Sequence, residues 1–135
     1  MDVTGRCLCG AITYAAQIDA ERVGICHCTD CQVNSGTAFG VVAPVVDGRF
    51  ELLSGKLAGY TKIAESGRPR LLSFCATCGT RIHACTEGDP SAFFSLRLGT
   101  IDQRAALRPS VQVWHRSALP WIGDLGSVPT LETQS

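Results

Sequence analysis

Apolar and β-branched residues along this chain come in short runs broken by glycine-bearing turns. No segment carries the i, i+3, i+4 repeat of a helix of ordinary length. Residues 11–15 alternate loosely and predict a strand. Residues 22–25 predict another, which delivers Cys26 at its end. Thr29-Asp30 offers an N-cap for a short helical turn that runs to about Ser35 and is ended by Gly36. Residues 37–45 predict a buried strand, Asp47-Gly48 a turn, and residues 49–53 a further strand. Strands at 57–64 and 71–74 flank a turn at 66–69. Those at 80–85 and 92–98 flank one at 87–90, and 111–115 is the last strand. The pattern therefore predicts a β-rich chain with a single domain over residues 1–125 and a polar, loosely draped tail over 126–135.

Composition narrows the function classes. At 135 residues, 45% of them hydrophobic, one domain can bury a core that does not depend on metal alone. Twelve Lys and Arg balance twelve Asp and Glu, so the basic footprint of a nucleic-acid binder is missing; Arg68 and Arg70 with Arg81 form at most a local patch. The longest apolar run, 39–46, is interrupted by Gly40 and Pro44 and is far short of a membrane span. The first residues hold no apolar core of a secretory signal. The expectation is a soluble, cytoplasmic protein with no nucleic-acid or membrane partner. Nothing in the pattern sets the oligomeric state. In a reducing compartment clustered cysteines predict metal ligands or reactive thiols, not disulfides.

Eight cysteines fall in groups: Cys7 and Cys9; Cys26, Cys28 and Cys31; Cys75 and Cys78; and Cys85 apart. Thiolate is a ligand that Zn²⁺ favours, and C-x-x-C spacing lets two sulfurs reach one ion at about 2.3 Å each. In an extended strand the side chains of Cys7 and Cys9 would stand about 6.6 Å apart, so the backbone must bend there, and Gly10 suits the bend. Cys7, Cys9, Cys75 and Cys78 would close one four-thiolate structural site. The alternative is that Cys7 and Cys9 are small buried apolar residues. Cys26, Cys28 and Cys31 remain, and three protein ligands with an open fourth position is the pattern of a catalytic zinc. Three thiolates leave Zn²⁺ with a formal charge of about −1, which suits holding an incoming thiol more than ionising water. Amides at the start of the following helical turn would favour thiolate there. Three alternatives stay open: His27 as fourth ligand, His83 or Cys85 reaching the same ion, and a metal-free redox cluster. Cys85, His83 and His115 otherwise read as ordinary strand residues. Trp114 and Trp121 read as packing, with Trp121, next to Pro120 in a loop, a candidate pocket wall.

Cys7-Leu8-Cys9-Gly10, Cys26-His27-Cys28-Thr29-Asp30-Cys31 with Ser35-Gly36, and Phe74-Cys75-Ala76-Thr77-Cys78-Gly79 together resemble the glutathione-dependent formaldehyde-activating enzymes, which share their domain with centromere protein V. Leu98-Gly99-Thr100-Ile101-Asp102, Arg108-Pro109, Trp114 and Pro120-Trp121 extend the resemblance over residues 4–121. It implies a mainly β, Mss4-like β-tent of small antiparallel sheets around a structural zinc. It also implies two Zn²⁺ per chain: Cys7, Cys9, Cys75 and Cys78 on the structural ion, Cys26, Cys28 and Cys31 on the catalytic one. The implied activity is a carbon–sulfur lyase that joins glutathione and formaldehyde as S-(hydroxymethyl)glutathione.

Two other functions compete. In one, both ions only hold the fold of a non-catalytic, zinc-stabilised binding module. In the other the chain is a redox enzyme similar to methionine sulfoxide reductases. That reading needs a reactive cysteine late in the chain, and no cysteine follows Cys85. Arg70, Arg81 and Arg97 are strand arginines that could pair with substrate carboxylates, although strand arginines ordinarily face solvent.

Overall fold

The computed structural model describes residues 1–134. Among these residues nine strands, one short α-helix and five 3-10 turns make a mainly β fold, the Mss4-like, tent-like kind that the resemblance implies. Along the main path the order is β1 (Asp2–Arg6), β2 (Thr13–Ile18), β4 (Gly40–Ser54), β8 (Phe94–Arg97), β7 (Arg81–Thr86), β6 (Pro69–Cys75) and β5 (Leu57–Ile63), antiparallel throughout. Beside it β3 (Gly24–Cys26) pairs antiparallel with β4 and parallel with β9 (Val111–Val113).

Strand β4 is the common member, and here the expected turn is corrected. Asp47 and Gly48 both take positive φ, 49° and 66°, but the strand runs on through them. Their left-handed conformations bulge β4 outward, so that β2 passes from Ile18↔Val45 to Ala16↔Phe50 across the irregularity. A bulge and a hairpin turn draw on the same positive-φ residues; only the neighbouring strand decides between them. The first half of β4 therefore holds β3 and β8, and the second half holds β2.

Strand β1 is absent from the sequence expectation because Asp-Val-Thr-Gly-Arg offers few apolar side chains. It pairs fully with β2, and Gly5 faces inward where a Cβ would collide with the Tyr14 ring and the Thr100 carbonyl. The core is built from Ile12, Tyr14, Ile18, Ile82, Leu96 and Ile101, each at most 1% exposed. Each contributes on the order of 1.5–3 kcal/mol of burial. Tyr14 donates its hydroxyl hydrogen to Thr100 Oγ1 at 2.8 Å, and Thr100 in turn donates to the Arg97 carbonyl at 2.8 Å. Burial pushes the Tyr14 phenol up to about 12, so it stays protonated as that chain requires.

A helical turn, Ile122–Ser127, crosses the expected domain boundary, and residues 128–134 are exposed. Among the described residues no helix is long and apolar enough to cross a membrane.

Candidate metal centres

The first cluster joins two turns from strands distant in sequence. Past β1 the chain bends at Cys7 to Gly10: Gly10 donates to the Cys7 carbonyl at 3.2 Å, with Gly10 at φ 83°. Past β6 the knuckle does the same, with Gly79 N–H on the Cys75 carbonyl at 2.8 Å and Gly79 at φ 78°. A Cβ is disfavoured in both conformations, which is the physical reason for glycine after each pair.

The bends bring Cys7, Cys9, Cys75 and Cys78 together with all four sulfurs within 4.8 Å of one another. Cys7 Sγ lies 3.6 Å from Cys9 Sγ, and Cys9 Sγ lies 3.8 Å from Cys75 Sγ. Four sulfurs each about 2.3 Å from one ion stand roughly 3.8 Å apart in a tetrahedron. The donor set and its spacing therefore fit Zn²⁺. The reading of Cys7 and Cys9 as merely small apolar residues does not account for sulfurs converging from both turns.

Thr80 is a support that the cysteine spacing does not announce. Its Oγ1 accepts from the Leu8 amide at 3.0 Å and lies 3.1 Å from Cys78 Sγ, so its hydrogen is free to point at the sulfur. One hydroxyl thus bridges the two turns. It also brings the Cys78 thiol down to about 5. Burial penalises a charge on Cys7, but the Ile12 amide at 3.2 Å and the neighbouring sulfurs outweigh it, leaving that thiol below its ordinary value.

The second cluster is local. Cys26 ends β3 between Gly40 of β4 and Val113 of β9, and the chain then enters helix α1 (Thr29–Ser35). The N-cap is Cys28, where Thr29 or Asp30 was expected: its sulfur accepts from the Cys31 amide at 3.2 Å. The other end is as expected, Gly36 in the left-handed region with its amide on the Gln32 and Val33 carbonyls. Cys26, Cys28 and Cys31 gather their sulfurs within 4.8 Å. Cys31 beside it holds the Cys26 thiol low, while Cys26 pushes Cys31 up. Three convergent soft donors fit Zn²⁺ as well.

None of the candidate fourth ligands joins this group among the described residues. His27 is fully buried and turns away: its Nε2–H donates to Gln112 Oε1 at 2.7 Å, leaving Nδ1 without a partner. His83 packs between Phe50 and Phe94, with ring centroids at 5.2 and 4.4 Å, and burial brings it down to about 4. Cys85 is buried on β7 apart from both clusters.

Instead of a fourth ligand, the three cysteines meet a cavity of about 450 Å³. Its rim carries two ion pairs, Lys62 with Asp30 at 2.7 Å and Arg116 with Glu65 at 3.6 Å. Two wall cations have no carboxylate partner among the described residues: Arg70, stacked 3.8 Å over the Phe93 ring, and Arg97. Arg97 sits next to Cys31, since a Cβ at Gly40 would meet Arg97 Nη1 at 3.5 Å and Cys31 Sγ at 3.8 Å. Trp114 lines this cavity and Trp121 does not, correcting the pocket wall expected from the loop position. Trp114 stands there because it takes a left-handed backbone, φ 54°, immediately after β9. Side-chain direction of that kind leaves no trace in hydrophobic patterning.

Compared with known proteins, the chain matches the family model described as glutathione-dependent formaldehyde-activating enzyme over residues 2–117. None of the curated proteins matches it. A solved protein of Rhodobacter sphaeroides is similar at 17% identity and a TM-score of 0.62, over 81% of this chain and 98% of that one; at that identity the likeness speaks for the fold.

Proposed function

The chain belongs to the glutathione-dependent formaldehyde-activating enzyme family, and from that membership we propose a zinc-dependent carbon–sulfur lyase-type enzyme acting on a thiol adduct of a small electrophile. Glutathione with formaldehyde, giving S-(hydroxymethyl)glutathione, is the first pair to test. The observation that carries the reading is the convergence of Cys26, Cys28 and Cys31 on an open cavity with no fourth protein donor among the described residues. A closed four-thiolate site has no place for a reactant.

Cys26, Cys28 and Cys31 would hold the ion that holds a substrate thiol as its thiolate, the chemistry a three-thiolate zinc supplies. The chain's own residues do the rest. The Cys31 amide fixes Cys28 from the helix start, and Gln112 fixes the turn through His27. Arg97 and Arg70 offer positive charge where a thiolate or a carboxylate would lie. The walls bring thiol and aldehyde together, which replaces a bimolecular encounter by a positioned one. The thiol proton passes to solvent water as the thiolate forms; a sulfur lone pair then forms the carbon–sulfur bond, the carbonyl π pair moves to oxygen, and that oxygen takes the proton back from solvent.

The test is exchange spectroscopy of S-(hydroxymethyl)glutathione formation on protein holding two zinc ions per chain, beside Cys28→Ala. The reading expects acceleration over the uncatalysed rate by the first protein, and loss of it with the fold retained in the second. No acceleration by fully loaded protein removes this substrate pair. Two equally inert zinc ions would favour the binding module.

A further inference from the structure

A second cleft, of about 730 Å³, lies beyond Arg97 from the thiol cavity, and four arginines line it: Arg6, Arg81, Arg97 and Arg104. Asp102 is the one acidic side chain among the lining residues, and its Oδ2 already accepts from the Thr4 hydroxyl at 2.7 Å. None of the four arginines forms an ion pair among the described residues. Four cations less one carboxylate leave a formal excess of three positive charges on these side chains, in a chain whose Lys and Arg otherwise balance its Asp and Glu, against about −2 that a four-thiolate zinc at Cys7 would bring to the same wall. The excess is a local arrangement, not the by-product of a basic protein.

Three of the guanidiniums are held in place by backbone carbonyls. Arg6 donates to the Cys7 and Leu8 carbonyls at 3.3 and 3.2 Å, Arg81 Nε to Asn34 at 3.3 Å, and Arg104 Nη1 to Ile101 at 3.2 Å. Arg81 also lies 4.9 Å over the Phe74 ring. A guanidinium carries five N–H donors, so each of these heads keeps most of its donors free after it is anchored. Anchored, planar, unpaired forks match oxyanions two bonds at a time, and less rotamer freedom is lost on binding. Clustered charge at a concave surface also concentrates anions there.

We propose that this cleft is a binding site, separate from the thiol cavity, for a small ligand carrying two or more oxyanion groups, phosphoryl or carboxylate. The free N–H donors of the three anchored guanidiniums, with those of Arg97, outnumber the acceptor positions of a single carboxylate or phosphoryl group. A nucleic acid fits less well, because the chain's Lys and Arg are balanced by as many Asp and Glu. Arg97 lines both cavities, so it is the contact through which either site can sense the other, and the test leaves it intact.

Isothermal titration of the zinc-loaded protein at low ionic strength uses fructose 1,6-bisphosphate, tricarballylate and, as a single-anion comparison, glycerol 2-phosphate. The cleft expects one saturable site for at least one of the first two. It expects weakening of at least about tenfold in Arg81→Gln/Arg104→Gln, and of less than about twofold in Arg49→Gln/Arg68→Gln, which removes equal charge elsewhere. Bisphosphate binding without tricarboxylate binding assigns phosphoryl ligands; the reverse assigns carboxylates. Arg104→Gln alone, at an exposed side chain, gives the same direction if the double variant loses its fold. No saturable binding of either polyanion overturns the proposal. So does equal weakening in both double variants, or glycerol 2-phosphate binding as tightly as the bisphosphate.

Discussion

The two cysteine clusters use the same donor atom for opposite structural ends. Cys9 and Cys75 are 66 residues apart in sequence and 3.8 Å apart in space, so the first cluster clips together segments that the chain alone would leave far apart. Cys26, Cys28 and Cys31 lie on one strand end and one helical turn, positioned by Gly40, Val113 and the Cys31 amide before any ion is considered. Loop-closure entropy makes the long clip a stabilising device, whereas a local cluster closes almost no loop. The first set has all four corners filled by protein, and the second faces a cavity. What the difference teaches is that the number and spacing of the thiolates sets metal preference, while sequence separation sets how much a bound metal would add to folding, and an open fourth position whether it could also meet a reactant.

The strongest way to break this comparison is Cys75→Ser. Structural zinc in small domains contributes on the order of 10 kcal/mol of apparent folding free energy, comparable to the whole stability of a domain. Loss of the cooperative thermal transition and of both ions is expected, read by circular dichroism and zinc content. If this variant keeps its fold while Cys28→Ala unfolds, the two roles are reversed. Cys28→Ala should lose one ion, shift the melting temperature by only a few degrees, and lower thiol-adduct turnover roughly a hundredfold, the equivalent of about 2.7 kcal/mol at the transition state.

A paired experiment sharpens the contrast at the supports. Thr80→Val removes the hydroxyl between Leu8 and Cys78, and should cost about 0.5–1.5 kcal/mol of stability, since water can take up the exposed Leu8 amide. Gln112→Ala removes the partner of His27, which holds the turn between Cys26 and Cys28, and should instead weaken metal at the second cluster, by less than the roughly 10–100-fold that losing a ligand's own partner costs, measured by competition with a chelator. Equal effects of both variants on global stability would erase the distinction.

The smallest effect concerns acid. His83 titrates near 6.5 when unfolded and is brought down to about 4 in the fold by burial, then by Arg97. Above pH 6.5 both states are neutral and its contribution is complete. As pH falls from 6.5 toward 4 the unfolded chain takes up the proton first and stability is lost. Metal release from both clusters runs in the same direction, so the informative quantity is the difference between wild type and His83→Phe. The variant's stability should fall less over that interval, by roughly 1–2 kcal/mol. Identical pH curves would show that His83 is solvated in solution.

The division of the cysteines was legible because ligand chemistry works through spacing. C-x-C-G and C-x-x-C-G each force a bend with its glycine at positive φ, and Cys26, Cys28 and Cys31 meet where a strand end passes into one helical turn. The helix over residues 29–35 and the strands over 57–63 and 81–86 were legible in the same way, from local signals their neighbours reinforce. Elsewhere the local signal pointed the wrong way. Asp47-Gly48 is an excellent turn pair and became a bulge, because β2 continues alongside β4. Asp-Val-Thr-Gly-Arg is a poor strand and became one, because Tyr14 and Thr100 fill the space that Gly5 vacates.

By itself, then, the sequence determined a β-rich chain, the two sets of sulfurs, and the softness of the metal they suit. These follow from residue type and from distances of a few positions, over which the backbone has little choice. Only the tertiary structure decided that β9 runs parallel beside β3, that Trp114 and not Trp121 walls the thiol cavity, and that four arginines share one cleft. Those are meetings between segments separated by many residues. The energy of a single contact at that range is too small to bias the local pattern, and it is the summed burial of the sheet that brings the segments together.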